Sequence, residues 1–600
     1  MSPMVLHPFL QDEAVEARAY QLEAVNACLS TSTLLVLPTG MGKTAVQWMA
    51  IAERLRTKEG RIILVAPTNA LVDQQHRGLV RVLAISDEDR IGRLTGAIPP
   101  AKRKDEWALN RIIVATPQVV RNDAMKGTLD LSDITLLVVD EAHRATGNAA
   151  VAQLGDLLMA ANPDALILGA TASPGWNEAG VEEVCEQLHL SGIHARGSTE
   201  TMLQPYASNL EVEEIKVPVP QELKDLARPL EGWLETIVQR ERRLGHYVRS
   251  GTITVGGLNE AMRRVQAAIA REERIAYRSA ADIGVSIRLL TLSNLLVSQG
   301  VAAARESLSR MKSRADAKGK EARSINEFIS DQRIRFLSDR LDSMEEIHSK
   351  VSFTRRVVRD EVRRNPDGRT IVFANYRDTV SAIVGHLEDL PGVRVTPFIG
   401  QTDRAGQSGM NQAEQIARLD SFRSGEYNVL VATSVGEEGL DIPRADLVLF
   451  YEPVGSEIRT IQRRGRTGRQ DEGTVYVLIA EGTRDEGTQA SAHRREERML
   501  IAIQRVRRRR RSFSPDLAQL DSFEVKMKEG VGKAGQFVLD ERIRLTRTIE
   551  TVDETPVNEV NDAPEKSTLV DIPLEQRRPQ GQSGLEAWTK DSSDDKARYS

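Results

Sequence analysis

At 600 residues, with 40% hydrophobic and 28% charged side chains and a formal net charge of −5, the chain has the composition of a globular protein of roughly three to four domains. No run of about 18 apolar residues occurs, which argues against a membrane-spanning helix. Two cysteines, Cys28 and Cys185, exclude a disulfide framework or a cysteine-built zinc site.

The opening stretch MSPMVLHPFLQDEA lacks the basic region and apolar core of a secretion signal, so a cytoplasmic protein is expected. From Leu34 to about Leu190, aliphatic runs (LLVLP, RIILVAP, RIIVATP, ITLLVVD, ALILGAT) alternate with helical stretches, the pattern of a parallel sheet covered on both faces. The first run leads into PTGMGKT, residues 38–44. There Pro38, Thr39, Gly40 and Gly42 form a turn whose backbone N–H groups can close around phosphate oxygens. Lys43 can reach the terminal phosphates of a nucleotide, and the Thr44 hydroxyl can ligate Mg²⁺. Leu37 stands where the strict G-x-x-x-x-G-K pattern has its first glycine, so this is a variant loop. The fourth run, LLVVDEAH, ends a buried strand in two carboxylates. Asp140 is placed to hold the Mg²⁺ that Thr44 also touches, and Glu141 to orient the attacking water, as phosphoryl transfer requires. His143 reads either as a link to the second domain or as a helix-start histidine, with the latter favoured in isolation.

Between Gln221 and Arg364 strand signals vanish and apolar residues recur at helical spacing, as in Leu289, Leu292, Leu295 and Leu296. This stretch holds 28 Lys plus Arg against 20 Asp plus Glu. Its net charge of +8, against −5 for the whole chain, leaves −13 elsewhere. Strand and helix alternation returns from Arg369 to about Ala480 in TIVFANY, VRVTPFIG, NVLVATS, LVLFYEP and TVYVLIA. Residues 505–511, RVRRRRR, suit a nucleic-acid contact or a solvated linker about equally. Beyond about residue 512 the chain is polar and acidic, too poor in apolar groups to repay ordering, and is expected to be disordered.

The set Tyr20-Gln21, PTGMGKT (38–44), APTNALVDQ (66–74), ATPQ (115–118), DEAH (140–143), TAS (171–173), VATSVGEEGLDIP (431–443) and QRRGRTGR (462–469) resembles the ordered motifs of superfamily 2 helicases. DEAHRATGN, GATASPG, IVFANYRDT and YEPVGSEIRTIQRRGRTGR look in particular like the archaeal Hef helicase and its relative, the Fanconi-anaemia M translocase, over roughly residues 15–500. The resemblance implies an α/β fold of two RecA-like motor domains, at 1–205 and 366–500, around an all-helical insert at 206–365 that grips nucleic acid. Residues 501–600 form the basic run and tail. It further implies ATP and Mg²⁺ as cofactors. Tyr20 and Gln21 would recognise adenine, with Arg18 as an alternative stacking partner. Gly439 and Asp441 would lie near the ribose, alongside Gly436 and Glu438. Gln462, Arg466 and Arg469 would complete catalysis from the second domain, Arg466 and Arg469 as arginine fingers, with Arg463 supporting that interface. Thr171 would open the segment that transmits nucleotide state. Pro67, Thr68, Thr116, Pro117 and Thr433, at strand ends, would grip phosphates of a nucleic-acid strand without reading its sequence.

The implied function is an ATP-dependent DNA helicase or translocase on forks and junctions in replication-fork repair and recombination. It would work on the nucleoid with a separate nuclease or sliding clamp as partner and without a membrane. LDERIRLTR, residues 539–547, lacks the Lys and trailing Asp of the nuclease site that follows the Hef helicase, so no nuclease is expected. An RNA-directed duplex-sensing ATPase and a non-catalytic nucleic-acid scaffold are the other two readings.

Overall fold

The computed structural model describes the chain except residues 1, 39, 87–88, 198–199, 204–205, 207–211, 317–318, 401–408, 434–444, 454–473, 511–512, 514–515 and 554–600. It divides into two units, Met1–Leu545 and Thr546–Ser600, and of the second only the end of one helix is described.

Each predicted aliphatic run forms a strand. After a short N-terminal strand β1 (Met4–Leu6), the first sheet comprises β2 (Thr33–Val36), β3 (Arg61–Val65), β4 (Ile91–Leu94), β5 (Ile112–Ala115), β6 (Ile134–Asp140), β7 (Leu166–Thr171) and β8 (Gly192–Ala195). Their spatial order is 4-5-3-6-7-2-8, and every pair is parallel. Parallel strands need crossover connections, so helices cover both faces and bury the strands on both sides. Two apolar cores result, one on each face. The register sets Asp140 opposite Ala170 and Val36 opposite Thr171. The carboxyl ends of β6, β7 and β2 therefore lie side by side, the place where doubly wound sheets hold ligands.

The second sheet is built from β9 (Val212–Val217), β10 (Thr370–Ala374), β11 (Val395–Phe398), β12 (Val429–Thr433), β13 (Leu447–Phe450) and β14 (Thr474–Ala480). Its order is 11-12-10-13-14-9, again all parallel. Two features shift the expected insert boundaries of 206 and 365. Strand β9 joins the sheet edge beside β14. At the other end, helix Ser349–Arg364 packs Val351, Val358 and Val362 onto the same core as Val372 and Val431. The insert proper runs through helices Gln221–Arg243, Val255–Ala270, Arg274–Ser298, Val301–Ala315, Lys320–Ile329 and Gln332–Ser343. Helix Arg274–Ser298 is, among the described residues, the one long and apolar enough to cross a membrane. Its Ile283, Leu289, Leu292, Leu295 and Leu296 instead fill the core of the insert. At the break after it, Gly300 has φ +112°, and a Cβ there would meet the Glu346 carboxylate at 2.7 Å. That carboxylate accepts Val301 N–H and Ala302 N–H at 3.1 and 2.8 Å, starting the next helix.

The insert is fastened to the second sheet domain by polar groups. Gln299 donates from Nε2 to Glu452 (2.9 Å) and accepts from the Thr379 hydroxyl (3.0 Å), while the Tyr451 hydroxyl donates to its carbonyl (2.8 Å). Arg310 forks onto both oxygens of Asp378 at 2.6 Å, the bidentate geometry that favours Arg.

Two expectations for the C-terminal region are corrected. The basic run is not a linker: Arg505 to Arg509 end helix Arg484–Arg509, with Arg507 and Arg508 exposed on it. Ala502, Ile503 and Val506 enter the first domain's core. Arg505 and Arg509 pair with Glu178 and Glu182 at 2.8–2.9 Å. The same helix starts in the second domain, where buried Lys350 meets Asp485 at 2.5 Å, so it straps one sheet domain to the other. Beyond residue 512, the chain up to the end of the described residues is ordered. Strands β15 (Glu524–Met527) and β16 (Gly530–Lys533) form a hairpin that adds β1 as a third strand, and helix Ala534–Asp553 follows. The apolar residues here are few, but Leu520, Phe523, Val525, Phe537 and Val538 all dock on the first domain's existing core. Joining a preformed surface orders a segment that could not build a core of its own.

Candidate nucleotide site and nucleic-acid face

The turn after β2 has the conformation the phosphate cradle needs. Gly40 and Gly42 take φ of 82° and 73°, a region where a side chain is costly. A Cβ at Gly42 would meet Gln21 Nε2 at 2.2 Å. Helix Lys43–Thr57 starts directly after Gly42 with no side-chain cap, leaving its first N–H groups to face an anion. Lys43 Nζ donates to the Leu37 carbonyl at 3.2 Å, holding its ammonium at the loop. The Tyr20 hydroxyl and Gln21 Nε2 both donate to the Met41 carbonyl at 3.0 Å. The helix expected to recognise the base thus touches the phosphate loop. Pro38 and Thr44 lie half-buried on either side of the turn; Thr39 is outside the described residues.

Asp140, half-buried, closes β6. Its two oxygens accept from Gln47 Nε2 at 3.3 Å and Gln75 Nε2 at 2.9 Å. Burial and the neighbouring Glu141 carboxylate push its pKa up, opposed by Gln75, Lys43 and Gln47. A carboxylate in this position gains from a cation, and a carboxylate with the Thr44 hydroxyl is an oxygen donor set suited to Mg²⁺. Gln47 and Gln75, both buried, escaped the motif reading. Gln47 was findable, since it lies four residues after Lys43 and so on the same helical face. Gln75 needed the fold.

Glu141 adopts φ 52°, ψ 51°, a left-handed conformation uncommon outside glycine. The turn carries His143 beside it: His143 Nδ1 lies 3.4 Å from Glu141 Oε2 and 3.1 Å from Thr171 Oγ1. Thr171, fully buried at the end of β7, also accepts Ser173 N–H at 3.1 Å. His143 is therefore more than a helix-start residue. It joins the Glu141 carboxylate to the segment expected to transmit nucleotide state.

Further along the same carboxyl edge lies a cleft of about 620 Å³ bordered by Pro67, Thr68, Asn69, Thr116, Gln118 and Asn122 among others. Helices Asn69–Val82 and Pro117–Met125 both start at this cleft, so two helix N-termini favour negative charge there. Thr68 Oγ1 accepts Leu71 N–H at 3.3 Å, so its side chain caps a helix. Asn69 and Gln118, which lie inside the quoted motifs but were not named as contacts, and Asn122, outside them, add amides. Two expected contacts are not brought to the cleft. Pro117 is buried as the first residue of its helix, a position proline favours because no N–H is needed there. Thr433 is buried at the end of β12. Gly436, Glu438, Gly439, Asp441, Gln462, Arg463, Arg466 and Arg469 lie outside the described residues.

Comparison with known proteins gives a concordant pattern. Residues 18–179 match the DEAD/DEAH box helicase family, and residues 350–471 match the helicase conserved C-terminal domain. A Methanocaldococcus jannaschii protein provisionally named as an ATP-dependent RNA helicase is 36% identical over 493 residues, 82% of this chain and 61% of that one. The ATP-dependent DNA helicase mph1 of Neurospora crassa is 31% identical, over 78% of this chain and 41% of its own length. The Fanconi anemia group M protein of Gallus gallus is 30% identical, over 81% and 26%. The chain thus spans from about a quarter to about three fifths of the length of these relatives. The crystal structure of the Pyrococcus furiosus Hef helicase domain superposes with a TM-score of 0.63 at 34% identity, covering 81% of this chain and all of that one.

Proposed function

Because the chain belongs to the superfamily 2 DEAD/DEAH box helicases, within the group of the Hef helicase and the Fanconi anemia M proteins, we propose that it is an ATP-driven motor that moves on and remodels branched DNA. One observation carries the reading: the carboxyl edge of a single sheet presents the phosphate loop, the Asp140–Glu141 pair and an anion-favouring cleft together. Nucleotide chemistry and a nucleic-acid strand then share one set of strand ends.

In this reading Lys43 and the first amides of its helix hold the terminal phosphates, and Asp140 and Thr44 hold Mg²⁺. The ion would neutralise charge on the phosphates and on Asp140. Glu141 orients the attacking water, with its direction fixed by the left-handed turn and by His143. Arg466 and Arg469 supply positive charge from the second domain, so hydrolysis requires the two domains to close. The +8 segment between the motor sheets supplies a surface for DNA phosphates. DNA is favoured over RNA by the names of mph1 and its relatives, while two other names, that of the M. jannaschii protein among them, point the other way.

The test is ATP turnover with a panel of forked, Holliday, duplex and single-stranded DNA and duplex RNA. Forks and junctions are expected to stimulate most, and Lys43→Ala to abolish turnover with each. Stimulation by duplex RNA alone would favour the RNA reading, and turnover unchanged in Lys43→Ala would overturn the site.

A further inference from the structure

Helix Ala19–Ser30, which carries Tyr20 and Gln21, is gripped on its far side by residues from the other end of the chain. Asn26, buried, donates from Nδ2 to the Asp516 carbonyl at 2.9 Å and accepts Gln519 N–H at 3.1 Å, making both hydrogen bonds with the C-terminal segment. Two residues after Gln21, the buried carboxylate of Glu23 is bound by Arg542 and Arg196. The same segment holds the helix that follows the phosphate loop. Ser522 Oγ donates to Glu53 Oε2 at 2.6 Å, and Phe523 stacks on His7 at 4.5 Å, whose Nε2 meets the same Glu53 oxygen at 2.9 Å. At the base side, the Arg18 guanidinium lies 5.1 Å over the Tyr206 ring, and that ring lies 5.4 Å from Tyr20. Burial and the Glu541 carboxylate on the C-terminal helix push the Tyr206 hydroxyl up to about 12.

We infer that the C-terminal segment 516–545 is a working part of the nucleotide site, and that Arg542 and Asn26 are positioning residues for base recognition. The inference rests on the reading of Gln21 as the residue that recognises adenine. Gln21 reaches the base only if its helix keeps its register against the Met41 carbonyl. That register is set from both sides: by the phosphate loop on one and by Arg542, Asp516 and Gln519 on the other. Arg542 and Asn26 act on Glu23 and on residues 516 and 519, on the side of the helix away from the phosphate turn, so their loss is expected to fall on the base more than on the phosphates.

The experiment uses the full chain and two probes: fluorescent ATP, and inorganic tripolyphosphate, which carries the phosphates without a base. Arg542→Ala and Asn26→Ala are each expected to weaken ATP binding and raise the KM for ATP by about five-fold, in the range of measured couplings between neighbouring positions. Their kcat at saturating ATP and their tripolyphosphate affinity should stay near those of the parent. Arg542→Lys, which keeps the charge, is expected to recover part of the loss. Should an alanine variant fail to fold, the lysine variant gives the same readout, and a parental ratio of ATP to tripolyphosphate affinity in it overturns the inference. Equal weakening of both probes also overturns it, since that would place the effect on the cradle. Gln21→Ala separates the two readings. If it leaves ATP affinity unchanged, the assignment of Gln21 falls. If it weakens ATP binding and Arg542→Ala does not, the positioning role falls.

Discussion

Glu141 shows how much of the chemistry is decided by single residues. A non-glycine residue at φ 52° carries a conformational cost of about 1–3 kcal/mol, tolerated because the short helix Ala142–Arg144 and the His143–Thr171 contact fix the turn. Glu141→Gln keeps the shape and the Asp140 site but removes the charge proposed to polarise water. It is expected to bind ATP like the parent, to hydrolyse it at least about 100-fold more slowly, the usual scale for loss of a general base, and to hold DNA more tightly with ATP than without. Single-turnover hydrolysis and DNA affinity with and without ATP check this; equal DNA affinity in both conditions would count against it. Lys43, Asp140 and Glu141 were legible in the sequence because each follows a strand and stands in a short contiguous motif. Gln75 and Asn122 were not, because only the packing of neighbouring strands brings them to the site.

At the scale of elements, the aliphatic strands and the helical insert declared themselves through periodicity, whereas the C-terminal elements did not. Helix Arg484–Arg509 reads as a charged run because its docking face is narrow: Ala502, Ile503 and Val506 on one side, arginines on the other. The hairpin β15–β16 is legible only once β1 and the first domain's core exist to receive it. The strap helix also has a pH-sensitive neighbour. On β8, against which the strap packs, His194 is buried, and burial with the nearby Arg196 and Arg507 charges lowers its pKa to about 3. In the unfolded chain a histidine titrates near 6.5. Its neutral form is thus required in the fold, and the stability it allows is present above about pH 6.5 and is lost as pH falls toward 3, by up to about 1.4 kcal/mol per pH unit. His194→Leu is expected to flatten the fall in urea midpoint between about pH 6.5 and pH 4; parallel curves for the two proteins would contradict this.

Over the whole molecule, the chain passes from one parallel-sheet domain to the other between β8 and β9 and returns along the strap, while both ends of the insert lie in the second domain. The insert is hydrogen-bonded to the second domain through Gln299 and Glu452 and ion-paired through Arg310 and Asp378. A strand held on the insert, as proposed, would therefore be held by the second domain too, and movement between the sheets would be transmitted to it. The positive charge of this region makes any such grip salt-sensitive, because neutralised phosphates release counterions. The most direct measurement is ATP turnover stimulated by forked against linear single-stranded DNA at two salt concentrations, in the parent and in a chain whose insert, from Gln221 to Ser343, is replaced by a short flexible linker. The account predicts that the parent turns over faster on forks, and that the linker chain keeps turnover on linear strands, loses the fork excess and shows a flatter salt dependence. An unchanged fork-to-linear ratio with an unchanged salt slope would contradict it.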